Sequence, residues 1–267
     1  MNLVLGVSAN YGLDELRVFV RSFTRHVNAD MALAVQNTSD AVKTWLSRHG
    51  VAAIPFESEL HPAFSRFYVY QTLLSENPEF LRIFHSDVRD AAAQSDIFVR
   101  LPQPGLHVFL EDRCMSIGTC RYNSRWMRTM YGEAALDEFR EKPISCVGTI
   151  LGDRESFLHY VGLLLKELGR FPDDPLPTTL FGRINEQAAH NRLVHSGILD
   201  RELASIGRRL HIHENGDGVF TMGYVTDFSV DKQHMVMNPD KSIPAVVHQY
   251  DRFEPLRDLL EFTYRDA

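Results

Sequence analysis

Within its first ninety residues the chain switches repeatedly between short apolar runs and amphipathic segments, and that alternation constrains the fold more than any other feature. The opening NLVLGVSAN (residues 2–10) is an apolar run that closes in small polar residues, the profile of a buried strand and its loop. Leu16, Phe19, Val20, Phe23 and Val27 then recur at i, i+3, i+4, i+7 and i+11, which predicts a helix with one buried face. MALAVQ (31–36) reads as a second strand, and Asn37 to Asp40 supply N-cap residues for a helix that Gly50 stops. VAAIP (51–55) is a third strand, followed by a helical stretch with Phe67, Tyr70, Leu73 and Leu74 on one side. Strands and helices alternating at this spacing predict a parallel sheet with right-handed crossovers.

The fourth strand of that series runs into charge. LRIFHSDVRD (81–90) carries Leu, Ile and Phe, which favour buried strands, and then Asp87, Arg89 and Asp90, which do not. Carboxylates at the end of a strand lie at the carboxyl edge of the sheet, where open α/β folds bind ligands. Two hard oxygen donors there suit Mg²⁺ or Mn²⁺, and through such an ion a diphosphate. The structural alternative is that Asp87 caps a following helix and Asp90 pairs with Arg89.

The second half is less regular. Residues 106–111 (LHVFLE) read as a strand, 119–140 as short helices, and 144–152 (ISCVGTILG) as a strand broken by two glycines. Glycine inside a strand points to close approach of a ligand or another backbone. Residues 158–168 are helical, FPDDPLPTTLF (171–181) is a surface connection, and 185–191 continue into another helix. Asn215-Gly216 and Asp217-Gly218 predict a tight turn and a hairpin leading through VFTMGYV. Residues 243–248 form a late strand ending in His248, and a helix with Leu256, Leu259 and Leu260 closes the chain. With 267 residues and no clean linker, a single α/β domain is expected, its halves meeting near residue 90.

Charge and cysteine usage narrow the class. A net charge of −7 argues against a general nucleic-acid binder, which needs a basic surface. Three cysteines without CxxC spacing indicate neither a disulfide framework nor a zinc site. The start lacks a basic leader and no run of eighteen apolar residues occurs, so a cytoplasmic protein without a transmembrane segment is expected.

An acid motif after a fourth strand, a glycine-containing strand, the run Glu186-Gln187-Ala188-Ala189-His190-Asn191 and a late strand ending in His248 occur here in one order. That order resembles nucleotide-sugar-dependent glycosyltransferases of the GT-A fold, in particular glycogenin-like and galactosyltransferase-like members. The resemblance implies a Rossmann-like mixed sheet flanked by helices, with nucleotide binding by residues 1–90 and sugar and acceptor binding by residues 91–267. It also implies Mn²⁺ or Mg²⁺ held at an Asp-x-Asp motif, with a nucleotide-diphosphate sugar such as a UDP-sugar as donor. Here the motif has either His85 in place of its first acid or has slid to Asp87-x-x-Asp90. By the same resemblance His248 is a further metal ligand, where the alternative is an ordinary core or surface histidine. Glu186 and Gln187 would lie near the reacting sugar, on what is otherwise an amphipathic helix face. Gly148 and Thr149 would line the donor-sugar pocket; a bulged edge strand is the plain alternative. Val7, Ser8, Asn10 and Tyr11 would hold the base and ribose, although Tyr11 could equally pack on a helix. Arg66 and Ser86 would contact the donor, and Arg89 the sugar or Asp90. A surface salt bridge is the default for either arginine.

The activity expected is metal-dependent transfer of a sugar from a nucleotide-diphosphate donor to a hydroxyl acceptor, in glycan or polysaccharide synthesis. No clear general base is visible, which favours retention at the anomeric carbon. Two other classes share these features. A nucleotidyltransferase would use the same acids, but Ser8-Ala9-Asn10-Tyr11-Gly12 lacks the basic residue such loops carry. A non-catalytic nucleotide-sugar-binding module would need no metal.

Overall fold

The computed structural model describes residues 1–171 and 182–265. Its elements in chain order begin β1 (Asn2–Ala9), α1 (Leu13–His26), β2 (Asp30–Gln36), α2 (Asp40–Arg48), β3 (Val51–Pro55), α3 (Pro62–Glu76) and β4 (Arg82–Ser86). There follow β5 (Ala91–Ala93), α4 (Ile97–Arg100), β6 (Leu106–Leu110), α5 (Arg121–Tyr131), α6 (Glu133–Phe139), β7 (Ser145–Asp153) and α7 (Arg154–Leu168). The chain continues with α8 (Glu186–His195), α9 (Ile198–Ser205), β8 (Leu210–His213), β9 (Val219–Thr221), β10 (Ser229–Val230), β11 (Val236–Met237) and β12 (Val246–His248). A 3₁₀ turn (Tyr250–Arg252) leads into α10 (Glu254–Thr263).

Seven strands form the main sheet in the order β3-β2-β1-β4-β7-β6-β8. The first four pair in parallel, as their alternation with helices predicts, and only β7 runs against its neighbours. This is a Rossmann-like mixed α/β sheet. Because β1–β4 and β6–β8 share it, the stretches before and after residue 90 form one architecture.

Side-chain alternation divides the core between the two faces. Leu3 and Leu5 of β1 pack with Phe67, Tyr70, Phe157 and Leu164, under α3 and α7. Val4 points the other way, into Phe19, Phe23, Leu33 and Phe84, under α1. Ser39 caps α2 by accepting from the Val42 amide, within the stretch expected to supply that cap.

A smaller sheet, β5-β12-β9, sits beside the main one. It overturns the hairpin expected near residues 215–218. The turn exists, but β8 pairs with β6 in the main sheet and β9 with β12 in the small one. The turn therefore passes the chain from one sheet to the other instead of folding it back on itself. Asp87 caps no helix either, since the chain after Asp90 enters β5. The proline-rich 171–181 segment lies, apart from Phe171, outside the described residues. Among the described residues, no helix is long and apolar enough to cross a membrane.

Candidate metal centre

Two registers build this site. The parallel pairing of β1 with β4 carries the chain to the carboxyl edge of the sheet at Ser86, and Asp87 follows at once. Gly6 makes room for the turn, because a Cβ there would lie 2.3 Å from Val88 Cγ1. The antiparallel pairing of β12 with β5 then sets His248 opposite Ala91, next to Asp90. Asp87, Asp90 and His248 each present a donor atom within 4.8 Å of the other two.

His248 is fully buried, and its Nε2 stands 3.7 Å from both Asp87 Oδ2 and Asp90 Oδ1. That nitrogen has no hydrogen-bond partner. A buried imidazole nitrogen without a partner, aimed between two carboxylates, fits a cation held by two oxygens and one nitrogen. Bonds of about 2.1 Å to a divalent ion span such a cluster after slight side-chain rotation. Burial resists charging of His248, but the neighbouring Cys146 sulfur and both carboxylates outweigh it, so its pKa lies well above the ordinary imidazole value.

Arg66 is buried in α3, and its Nη1 donates to Asp87 Oδ1 at 2.5 Å. It is thus a buried partner of the acid, where a surface salt bridge was the default. Burial alone would raise the Asp87 pKa, yet Arg66 and His248 hold it below the usual carboxylate range. Asp90, more deeply buried, is shifted upward by that burial. Arg89 behaves as the default had it, half-exposed and paired with Asp251 at 3.1 Å.

The ambiguity over His85 disappears in the structure. Two residues before Asp87 on β4, it lies on the same α3 side of the sheet but within the strand, buried against Tyr70 and Phe67 at ring separations of 5.2 and 6.0 Å. Desolvation lowers its pKa to about 3, so it is a neutral core residue. The pair brought to His248 is Asp87 with Asp90.

Gly148 of β7 is approached closely, and what approaches it is Asp87 and His248 themselves. A Cβ there would lie 2.4 Å from Asp87 Oδ2 and 3.0 Å from His248 Cε1. Its carbonyl accepts from the Asp87 amide at 2.7 Å. Thr149 is buried beside Ser86 with a free hydroxyl, while the Ser86 hydroxyl is committed to the Asp87 carbonyl. Gln187 and Asn191 serve β7 more directly. Gln187 accepts from the Val147 amide and donates to the Ser145 carbonyl, and Asn191 repeats this pattern at Ser145. Their amides fix the strand that carries Gly148. Glu186, at the start of α8, is buried with Oε2 unpartnered. Burial raises its pKa against the opposing pull of Arg66.

The β1 loop borders the same region. The Tyr11 phenol is raised by burial and feels Arg89, Asp87, Asp90 and Arg66, which places it at the cluster. Val7 is half-buried, Ser8 is buried with an unpartnered hydroxyl, and Asn10 adopts φ 61° and accepts from Asn37. Asn37 belongs to a cleft of about 590 Å³ at the ends of β2 and β3, lined also by Thr38, Lys43, Phe56 and Ser58. None of Asp87, Asp90 and His248 lines this cleft.

Glu111 is absent from the residues expected above. It follows β6 directly, is buried, and lies in the field of His248 and Arg252. Burial pushes its pKa up to about 7 from the ordinary 4.5. An acid at the end of an apolar strand, the reason for choosing Asp87, would have found it in LHVFLE. The folded state keeps its proton to higher pH than the unfolded chain, so this group costs stability as pH rises from 4.5 to about 7. Glu111→Gln, in EDTA, is therefore expected to match the wild type near pH 5 and exceed it at pH 8. The gain is about 3 kcal/mol at most, read by urea unfolding. Equal stabilities at pH 8 would mean that Glu111 is ionised without penalty.

Set against known protein families and curated proteins, the chain matches none.

Proposed function

We propose that this protein is a metal-dependent glycosyltransferase of the GT-A type, moving a sugar from a nucleotide-diphosphate donor to a hydroxyl acceptor. The observation that carries the proposal is the convergence of Asp87, Asp90 and His248 at the carboxyl edge of a Rossmann-like sheet. These three would hold Mn²⁺ or Mg²⁺, and imidazole among the donors favours Mn²⁺. The bound ion would act as a Lewis acid toward the departing nucleoside diphosphate.

The chain's own residues have separable tasks. Arg66 keeps the Asp87 carboxylate ionised and aimed, since its guanidinium is fixed in α3 and donates to the oxygen turned away from His248. Tyr11 and the β1 loop border the donor, and the adjoining cleft past β2 and β3 has the size for its nucleoside. Glu186, with a buried and unpartnered carboxyl oxygen near Arg66, would orient the transferred sugar. Arg89, tied to Asp251 at the rim, would meet the donor sugar from outside.

The test is a melting screen with UDP, GDP, CDP and their sugars, each in Mn²⁺ or in EDTA. One nucleotide family is expected to raise the Tm by about 5 °C at a hundredfold excess over its Kd, only with Mn²⁺. A shift that survives EDTA would instead indicate a metal-independent binding module. No shift with any nucleotide defeats the proposal. With acceptor present, release of nucleoside diphosphate from the nucleotide sugar marks sugar transfer, whereas release of pyrophosphate from an added nucleoside triphosphate marks a nucleotidyltransferase.

A further inference from the structure

We infer that Cys146 and Glu111 form an outer shell that holds His248 in its metal-binding tautomer. The inference rests on the metal reading given above and adds two positioning residues to it. Cys146 lies on β7 two residues before Gly148, fully buried, with Sγ 3.8 Å from His248 Nδ1. Glu111 follows β6, the neighbouring strand, where its amide donates to the Ile144 carbonyl at 2.8 Å, two residues before Cys146, and its buried carboxyl feels the Cys146 thiol.

The hydrogen-bond inventory gives this row of groups a direction. Nε2 of His248 faces Asp87 Oδ2 and Asp90 Oδ1, so it is the nitrogen that must carry a free lone pair to bind an ion. A neutral imidazole with a lone pair on Nε2 has its proton on Nδ1. That N–H points at the Cys146 sulfur, which accepts it weakly. The thiol hydrogen is then free to turn toward a carboxyl oxygen of Glu111, which accepts whether or not that group is ionised. The row ends at the Glu111 carboxyl.

Metal-binding histidines generally donate their second nitrogen to a carboxylate, a carbonyl or water, and losing that partner costs roughly 10–100-fold in metal affinity. Here a thiol occupies that place and a carboxyl group stands behind it. Burial makes the arrangement consequential, because His248 is fully enclosed and no solvent can replace the lost acceptor.

The experiment measures Mn²⁺ affinity by electron paramagnetic resonance on the full chain, with melting temperatures in EDTA as a check on folding. Cys146→Ala is expected to weaken Mn²⁺ binding by at least roughly tenfold. Cys146→Ser, which keeps a donor and acceptor at the same place, is expected to restore most of it. Glu111→Gln still offers an oxygen to the thiol and should stay within about threefold of wild type, while Glu111→Leu should fall about tenfold. In Mg²⁺-loaded protein labelled with ¹⁵N-histidine, the wild type should show the His248 proton on Nδ1, and Cys146→Ala should lose that single form. Wild-type affinity in Cys146→Ala, or a proton on Nε2 in the Mg²⁺ complex, overturns the inference and leaves the metal reading standing. Absence of Mn²⁺ binding by the wild type itself overturns both.

Discussion

Alanine at Asp87 is expected to abolish Mn²⁺ binding and also to lower folding stability by about 2 kcal/mol, between an exposed and a fully buried ion pair, because the Asp87 side chain is 39% exposed. The two losses have different origins. Metal affinity falls because Asp87 Oδ2 is one of three converging donors, and losing a direct ligand should cost more than the roughly 100-fold upper end for an outer-shell partner. Stability falls because the Arg66 side chain is only 5% exposed and Asp87 is its ion-pair partner. Removing the acid leaves a guanidinium buried without its anion. Glu186 is the other carboxyl in the field of Arg66, and its ionisation would limit the cost further.

A double variant separates the effects. Asp87→Leu combined with Arg66→Met removes both charges, and such replacements of buried pairs are often neutral or stabilising. It should regain most of the lost stability in urea unfolding while binding no Mn²⁺. If Asp87→Ala binds Mn²⁺ like the wild type, the acid cluster is not a metal centre. If it unfolds at the wild-type urea concentration, Arg66 does not depend on Asp87.

The pH dependence of the ion pair follows from the same geometry. Asp87 is held below its ordinary 3.8 by Arg66 and His248 in spite of burial. Its contribution to stability is therefore present at neutral pH and fades only in acid, as the folded-state carboxylate takes up its proton. Glu111 acts in the opposite sense, so the two acids are distinguishable by titration alone.

What could be read from the sequence was local. The β1–β4 stretch is legible because each strand and helix declares itself within a dozen residues, by apolar period, cap residues and the stop at Gly50. Asp87 is legible as an acid where an apolar strand ends. His85 shows where that reasoning loses resolution. A strand has a period of two, so His85 and Asp87 share the α3 side, and what separates them is depth, since His85 lies inside β4 among Tyr70 and Phe67 while Asp87 follows the strand's end. The convergence with His248 depends on β12 pairing with β5, a contact between stretches far apart in the chain that no local pattern encodes. Gln187 and Asn191 were recognisable as polar residues on a helix, but their bonds to the β7 backbone require knowing that α8 packs on that strand. The turn at residues 215–218 failed for a related reason, since glycine chemistry specifies a turn but not whether its flanking strands pair with each other.

The second large effect is expected at Gly148, where Gly148→Ala should reduce Mn²⁺ affinity by at least roughly tenfold, comparable to the loss of an outer-shell group. The residue sits on β7, held at both ends by Gln187, Asn191 and the pairing with β4, so its backbone has little freedom to retreat. A methyl group there would meet Asp87 Oδ2 at 2.4 Å and His248 Cε1 at 3.0 Å. The carboxylate must move, and Arg66 restrains its other oxygen. Overpacking of this kind costs about 1–3 kcal/mol of stability, a smaller change than the effect on the metal. Gly162→Ala provides the contrast. Gly162 lies inside α7 with open space around its Cα, so alanine there should add roughly 0.5–1 kcal/mol and leave Mn²⁺ binding untouched. Calorimetric Mn²⁺ titration of both variants decides the matter. Wild-type affinity in Gly148→Ala would show that Asp87 swings aside freely and that the close approach at β7 does not set the ligand's position.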